Sequence, residues 1–445
     1  MSALLQLQEP AAAPVAPPTW AAFLALAFRP LYLAGCIWAV VAAAVWVLAP
    51  QWLQGPLGGV AWHAHEMLWG FVATIAMGFL LTAGANWTGH NPLTARSLAV
   101  LGGLWLLARV GLLVPHLGVY WLAGLADVAF FAMAAVAMAR VVWRARNRRN
   151  YPVPALMLGL GVVDGLYLLA APQADAALLM GYFETGLLCM AVIALLVARR
   201  VIPFFAMRAV PGLLIPMQDR SASAQMVLGS LAVLLALGRA MAEASGWAPG
   251  IAALISPLLA ALLAATGLLS LWQCVSWRPQ AVWRRPMLWI LYLGYAGLAM
   301  GLLLAAGRAA GVPWRAAVPV HVIAMAGFSV LIMGMVHRTA LGHLGRALAL
   351  DRWMLASHGL VVLAVVLRLA ALWPSALTVL LWQATVGAWT AAFGLYLWRF
   401  FPMMIRPRPD ARGIPVKVGG VAVGITVQGG AIVTQTTPAP AAGTP

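Results

Sequence analysis

The chain has 445 residues, 64% of them hydrophobic and only 8% charged, with a mean hydropathy of +0.94. So little charge over such a length excludes a soluble domain and points to an all-α polytopic membrane protein. The formal net charge of +17 would suggest nucleic acid in a soluble chain. Here the positive residues sit in short loops between apolar runs, so they report topology and no nucleic-acid partner is expected.

The first twenty residues are rich in Ala and Pro and lack a basic n-region, so no cleavable signal peptide is read there. Apolar runs of spanning length follow at about 31–49, 62–84, 97–114, 119–142, 153–171, 177–198, 223–242, 250–275, 287–307, 316–336, 353–373 and 376–398. Each is near the ~20 residues that cross a bilayer, which predicts twelve transmembrane helices. The chain divides into an N-terminal cytoplasmic segment 1–27, a transmembrane domain 28–405 and a cytoplasmic tail 406–445. After about residue 413 the tail turns to Gly, Val, Thr, Pro and Ala and is expected to be largely disordered, with a short extended piece. Cys36, Cys189 and Cys274 lie in separate apolar runs, a spacing that builds neither a disulfide framework nor a CxxC site.

Orientation follows from the basic residues. Arg29, Arg96, Arg140 to Arg149, Arg199 to Arg220, Arg278 to Arg285, Arg338 to Arg352 and Arg399 to Lys417 precede the first run or fill alternate loops. The remaining loops hold Asp175, Glu243 and Arg315 and little other charge. The positive-inside rule then puts both termini in the cytoplasm, as an even helix count also requires, and the pattern suits a bacterial inner membrane. The sequon Asn86-Trp87-Thr88 falls on the cytoplasmic side and is discounted.

At the head of the second run stands Trp62-His63-Ala64-His65-Glu66-Met67. Ionisable groups at membrane depth are expensive and usually mark function. At about 100° per residue, His63 and His65 point to nearly opposite sides of a helix. They suit two separate centres, or one ligand and its orienting partner, better than one chelated ion. Met67 shares a face with His63, and both a nitrogen and a thioether suit haem iron or copper. The plainer reading is a polar pair that hydrogen-bonds neighbouring helices.

With the topology set, His63, His65 and Glu66 fall in the outer leaflet. His321 in the tenth run reaches nearly the same depth, again with a methionine at i+4, Met325. Asp127, Asp164 and Glu184 come to comparable depths, and Arg109, Arg239, Arg308 and Arg368 lie near the outer ends of four helices. Each has a duller role: the arginines can snorkel or pair, and the acids can be their salt-bridge partners. Guanidinium groups beside imidazoles would also suit haem propionates. His116 reads as an interfacial loop residue. His90, His337 and His343 fall on the cytoplasmic side and His358 near the inner end of the eleventh run, and these four are read as structural. A faint repeat is visible as well. The second, sixth and tenth runs each carry a His or Glu near one end and a polar turn at the other, which suggests three four-helix units.

Five stretches together resemble the signatures of the NnrS family. They are Phe28-Arg29-Pro30, Trp62 to Met67, Gly78 to Ala83 with Asn86-Trp87-Thr88-Gly89, Arg200-Val201-Ile202-Pro203-Phe204-Phe205, and Leu341-Gly342-His343-Leu344-Gly345-Arg346. The last departs from the family's LGHTGR pattern, with Leu344 in place of the threonine. The resemblance implies a haem- and copper-containing inner-membrane protein of nitric oxide metabolism and protection from nitrosative stress, with His63, His65, Glu66 and His321 as positions to watch. Twelve helices and an H-x-H pair are more distantly similar to the haem-copper oxidase catalytic subunit. The seventh helix lacks a histidine and the sixth lacks an H-x-x-x-Y pattern, so an oxidase-type copper site is not expected.

Three functions compete. A haem/copper protein acting on nitric oxide or its adducts would use His63, His321 and the arginines. A multi-pass transporter of a metal or small anion would use the same polar cluster, since fold alone does not choose. A membrane sensor would bind haem without turnover. The bilayer and a small molecule are the expected partners, and no residue pattern identifies an electron donor.

Overall fold

The computed structural model describes residues 16–409, except 174, 217 and 245–248, together with the backbone of 414–418, 421–428 and 431–436. Residues 1–15, at the start of the expected N-terminal segment, and the last residues of the tail lie outside the described residues, as does the side chain of Glu243. The described helices are α1 (Phe28–Leu48), α2 (Gly59–Thr88), α3 (Ala95–Gly111), α4 (Leu117–Arg144), α5 (Pro152–Ala170) and α6 (Ala176–Ala209). They continue with α7 (Asp219–Ala244), α8 (Pro249–Ser276), α9 (Pro286–Ala309), α10 (Ala317–His343), α11 (Arg352–Ala370) and α12 (Thr378–Met404).

Among the described residues, eleven of these helices are long and apolar enough to cross a membrane, which makes a multi-pass all-α membrane protein. The exception is α3, expected to run to 114 but ending at Gly111 after 17 residues. At 1.5 Å per residue it is about 25 Å long, short of a ~30 Å hydrocarbon core. Pro115 lies just beyond its end and His116 caps α4, its Nδ1 accepting from Val119 N–H. Polar side chains begin the other helices in the same way. Asp175 accepts from Ala177 and Leu178 N–H at the head of α6, and Asp351 from Trp353 and Met354 N–H at the head of α11. Gly89, at φ +71°, closes α2 in the left-handed region that glycine tolerates.

Each helix packs against its neighbours in the chain, and α12 closes on α1. Inside this ring α2, α6 and α10 touch one another, and α2 is the most enclosed of the spans. These are the three helices singled out by the faint sequence repeat. In the tail, expected to be largely disordered, residues Ile414–Val418, Val421–Gln428 and Ala431–Thr436 run as three strands paired antiparallel in chain order.

Both α2 and α10 widen locally into a π-helix, over Glu66–Ala73 and Val322–Ser329, each beginning just after a histidine. A hydroxyl near the end of each stretch bonds the carbonyl five residues back: Thr74 to Trp69 O at 3.1 Å and Ser329 to Ala324 O at 2.9 Å. Such bulges shift the phase of the following side chains and recur at functional sites. The bulge of α10 lies against Gly297-x-x-x-Gly301 on α9, where a Cβ at Gly301 would sit 2.8 Å from Ile323 N. Small residues there let the two backbones approach, as in other membrane helix pairs.

The motif stretches at the opposite end of the helices serve as fasteners. Arg29 donates to Met404 O at 2.8 Å and Arg406 O at 2.7 Å, capping the carbonyls that end α12. Arg338 stands over the Phe205 ring at 4.0 Å, and Arg200 donates to Asn150 Oδ1 at 2.5 Å. Leu344 is buried, so the apolar residue in place of the threonine fits its surroundings.

Candidate functional site

The first turns of α2 send two imidazoles in opposite directions. His63 lines a cavity of about 960 Å³ bounded by α1, α2 and α6 to α12, while His65 turns into the packed interior among α2, α4 and α5. The i,i+2 spacing read from the sequence therefore separates two environments.

On the cavity side, the His63 ring stacks on Trp46 with centroids 4.8 Å apart, and its buried Nδ1 has no partner among the described residues. His321 enters the same cavity from α10, and its Nδ1 lies 2.8 Å from Ala317 O. Donation to that carbonyl fixes the tautomer and leaves Nε2 with a free lone pair, the arrangement that orients metal-binding imidazoles. His63, His321 and Arg368 are close enough to interact electrostatically. Met67 and Met325 line the cavity beside the two histidines, and Trp314, Phe328, Trp382 and Trp389 make much of its apolar wall. Arg239, Arg308, Arg368 and Glu184 complete it. Arg239 pairs with Glu184 at 2.6 Å, Arg308 donates to Trp314 O at 3.3 Å, and Nη1 of Arg368 is buried without a partner among the described residues.

On the other side, both nitrogens of His65 face carboxylates: Nδ1 is 2.9 Å from Glu66 Oε1 and Nε2 is 2.8 Å from Asp164 Oδ1. Glu66 Oε2 accepts from Trp38 Nε1 and from Arg109 Nη1, each at 2.5 Å, and Arg109 Nη2 pairs closely with Asp127. Every charged member is buried. Gly70 makes room for this network, since a Cβ there would lie 2.6 Å from Arg109 Nη1 and 2.7 Å from both Glu66 Oε2 and Trp38 Nε1. Ligand atoms of His65, Asp127 and Asp164 fall within 4.8 Å of one another, a donor set that could hold a cation. Arg109 offsets one of the three carboxylate charges, and both imidazole nitrogens of His65 are engaged by two of the acids. The arrangement reads as a hydrogen-bonded charge cluster that locks α2 to α3, α4 and α5.

The expected site residues thus split. His63, Met67, His321, Met325, Glu184, Arg239, Arg308 and Arg368 meet at the cavity, whereas His65, Glu66, Arg109, Asp127 and Asp164 form the closed cluster. Arg109, grouped with the other arginines as a propionate partner, is drawn into the cluster by its two acids. Residues missed by the sequence reading are Trp46, Trp38 and Gly70, whose roles depend on which helices meet. A further pair, His337 and His358, was set aside as structural, and the structure brings the two rings into contact at 5.1 Å.

A family model described as NnrS protein matches residues 22–408. No curated protein matches the chain.

Proposed function

From the premise that the chain belongs to the NnrS family, a family of nitric oxide response membrane proteins, we propose that its cavity is a haem site, which His63 and His321 would hold. The observation that carries this reading is the pair of imidazoles brought by two helices to one cavity, with Nδ1 of His63 unpartnered and Nε2 of His321 left free by its bond to Ala317 O. The space supports it too: binding clefts for sizeable ligands run to about 300–1,000 Å³, and a bare ion would need far less than the 960 Å³ found here.

A bound haem would supply one-electron and diatomic-gas chemistry, which axial ligands and pocket polarity tune. The chain's own residues do the rest. Trp46 holds the His63 ring in plane, and Ala317 O sets the tautomer of His321. Arg368, with its buried Nη1, is suited to carboxylates of a ligand, and Arg239 and Arg308 add cationic charge to the same wall. The aromatic side chains make much of the wall apolar and lower the local dielectric around the imidazoles. Met67 and Met325 offer thioethers beside the imidazoles, a donor set that would equally accept copper. The basic loops support a bacterial inner-membrane orientation with both termini cytoplasmic and this cavity toward the outer face. The closed cluster around His65 supports α2 from behind.

The test is an absorption spectrum with a pyridine haemochrome assay on protein purified from haem-replete cells. A Soret band is expected, with loss of most of its intensity in His63→Ala and in His321→Ala while both variants stay monodisperse. A colourless wild type, or two variants with wild-type haem content, would overturn the reading.

A further inference from the structure

At the other end of α10 and its neighbours, three polar side chains are buried with no protein partner for their free atoms. His337 on α10, His358 on α11 and Tyr396 on α12 all have negligible solvent exposure. His337 Nδ1 lies 2.7 Å from Met333 O, so donation to that carbonyl leaves Nε2 as a bare lone pair, and Nε2 has no partner. Both ring nitrogens of His358 and the Tyr396 hydroxyl are likewise unpartnered among the described residues. Natural interiors pair more than about 90% of their buried polar groups, so four such atoms on three touching rings call for a common explanation.

We propose that His337 and His358 hold a transition-metal ion of the imidazole-binding class, copper first, with the Tyr396 hydroxyl as an auxiliary oxygen donor. The ring centroids of His337 and His358 are 5.1 Å apart with the planes at 73°, and His337 and Tyr396 are 5.3 Å apart at 84°. Two imidazoles sharing one ion at about 2.0–2.1 Å from each nitrogen put their ring centres about 5 Å apart. The backbone bond of His337 repeats that of His321 on the same helix, a donation to the carbonyl four residues back that presents Nε2. Neutral imidazole favours copper and zinc, and copper stands highest in the affinity order for such donors. The rings of His337, His358 and Tyr396 lie at contact distance, a separation that suits a bare ion. Sixteen residues separate His337 from His321, on the order of 20 Å along the helix, so this centre is distinct from the cavity.

Full-length protein in detergent would be incubated with copper(II) chloride or zinc(II) chloride, freed of excess metal, and its metal counted. Wild type is expected to retain one equivalent that falls to background in His337→Ala and in His358→Phe, with nitrogen hyperfine structure in the copper(II) resonance disappearing alongside. Phenylalanine preserves the edge-on ring contact while removing both nitrogens, and Tyr396→Phe, which removes one oxygen, should weaken retention without abolishing it. A monodisperse elution profile and a wild-type melting temperature in these variants serve as the check on folding. The haem reading and this one fail separately: loss of metal at His337 in a colourless protein still supports the ion site. Equal metal retention in wild type, His337→Ala and His358→Phe overturns it, as does a wild type that retains neither metal.

Discussion

The two faces of α2 differ more than their sequence neighbourhood suggests. Two residues apart, His63 looks onto an apolar cavity with one nitrogen unpartnered, while His65 is clamped between Glu66 and Asp164. Both are histidines at the same depth, His65 fully buried and His63 partly open to the cavity. What separates them is whether the protein supplies the partners. A buried polar group that the fold satisfies costs little once formed, and breaking it is expensive. A group the fold leaves open is one set aside for something else. In this chain, then, the imidazole that faces the cavity is the poorly satisfied one.

The comparison breaks most visibly at Arg109. This guanidinium is the cation for Glu66 and Asp127, so Arg109→Ala leaves three carboxylates and one imidazole buried together. Removing one partner of a buried pair costs about 3–5 kcal/mol. The expected outcome is a steep loss of folded protein in a detergent thermal-unfolding scan, with haem content falling only in proportion to the folded fraction. A variant that unfolds at the wild-type temperature would show the cluster to be dispensable. Gly70→Ala attacks the same cluster from its backbone side, through a methyl 2.6–2.7 Å from three of its polar atoms. Overpacking of this kind costs about 1–3 kcal/mol. It should therefore lower the melting temperature less than Arg109→Ala does and leave the Soret maximum in place.

Asp351 gives a reference point away from both faces. Partial burial pushes its carboxyl up, but N–H donation from Met354 and Trp353 and the Arg399 guanidinium outweigh this and hold it below the usual carboxylate range. A depressed folded value means that the group stabilises the fold above its unfolded pKa. That contribution fades as pH falls through the folded value. Asp351→Ala should cost about 1 kcal/mol at neutral pH, as N-cap losses do, and the gap to wild type should narrow as pH falls below about 4. Melting curves at pH 7 and pH 3.5 check the sign, and a gap that widened in acid would contradict it.

Much of this arrangement was legible in the residues, and the exceptions share a cause. Twelve helices could be drawn because runs of ~20 apolar residues have few alternatives in a bilayer. The opposed directions of His63 and His65 follow from helical period alone. The π-helices at Glu66–Ala73 and Val322–Ser329 left no trace in hydrophobicity, since every face of these inner helices is apolar. Their clue is a hydroxyl, Thr74 or Ser329, which reads as an ordinary small polar residue until its carbonyl partner is known. Arg109 could not be told from Arg239 or Arg368 by depth, because the choice between cavity and cluster depends on rotation about the helix axis and on Asp127 from the next helix. His337 and His358 were passed over for a similar reason: they lie 21 positions apart on neighbouring helices, and nothing local announces that their rings meet.

The smallest expected effect tests the open face with the interaction that dominates the closed one. Glu184 and Arg239 pair at 2.6 Å, but their side chains keep 28% and 19% exposure, against 1% or less for Arg109 and its acids. Water at the cavity wall weakens the attraction and also lowers the cost of losing it. Partly exposed pairs contribute about 0–1 kcal/mol. Glu184→Gln should therefore move the melting temperature by no more than a degree or two, which a scan beside Arg109→Ala would show directly. Because the substitution releases Arg239 from its carboxylate within a wall that already holds Arg308 and Arg368, it makes the cavity more cationic. Retention of haem during dilution should then be equal or better than wild type if these guanidiniums hold carboxylates of the ligand. Faster haem loss from Glu184→Gln would instead assign the acid, and not the arginines, to the binding wall.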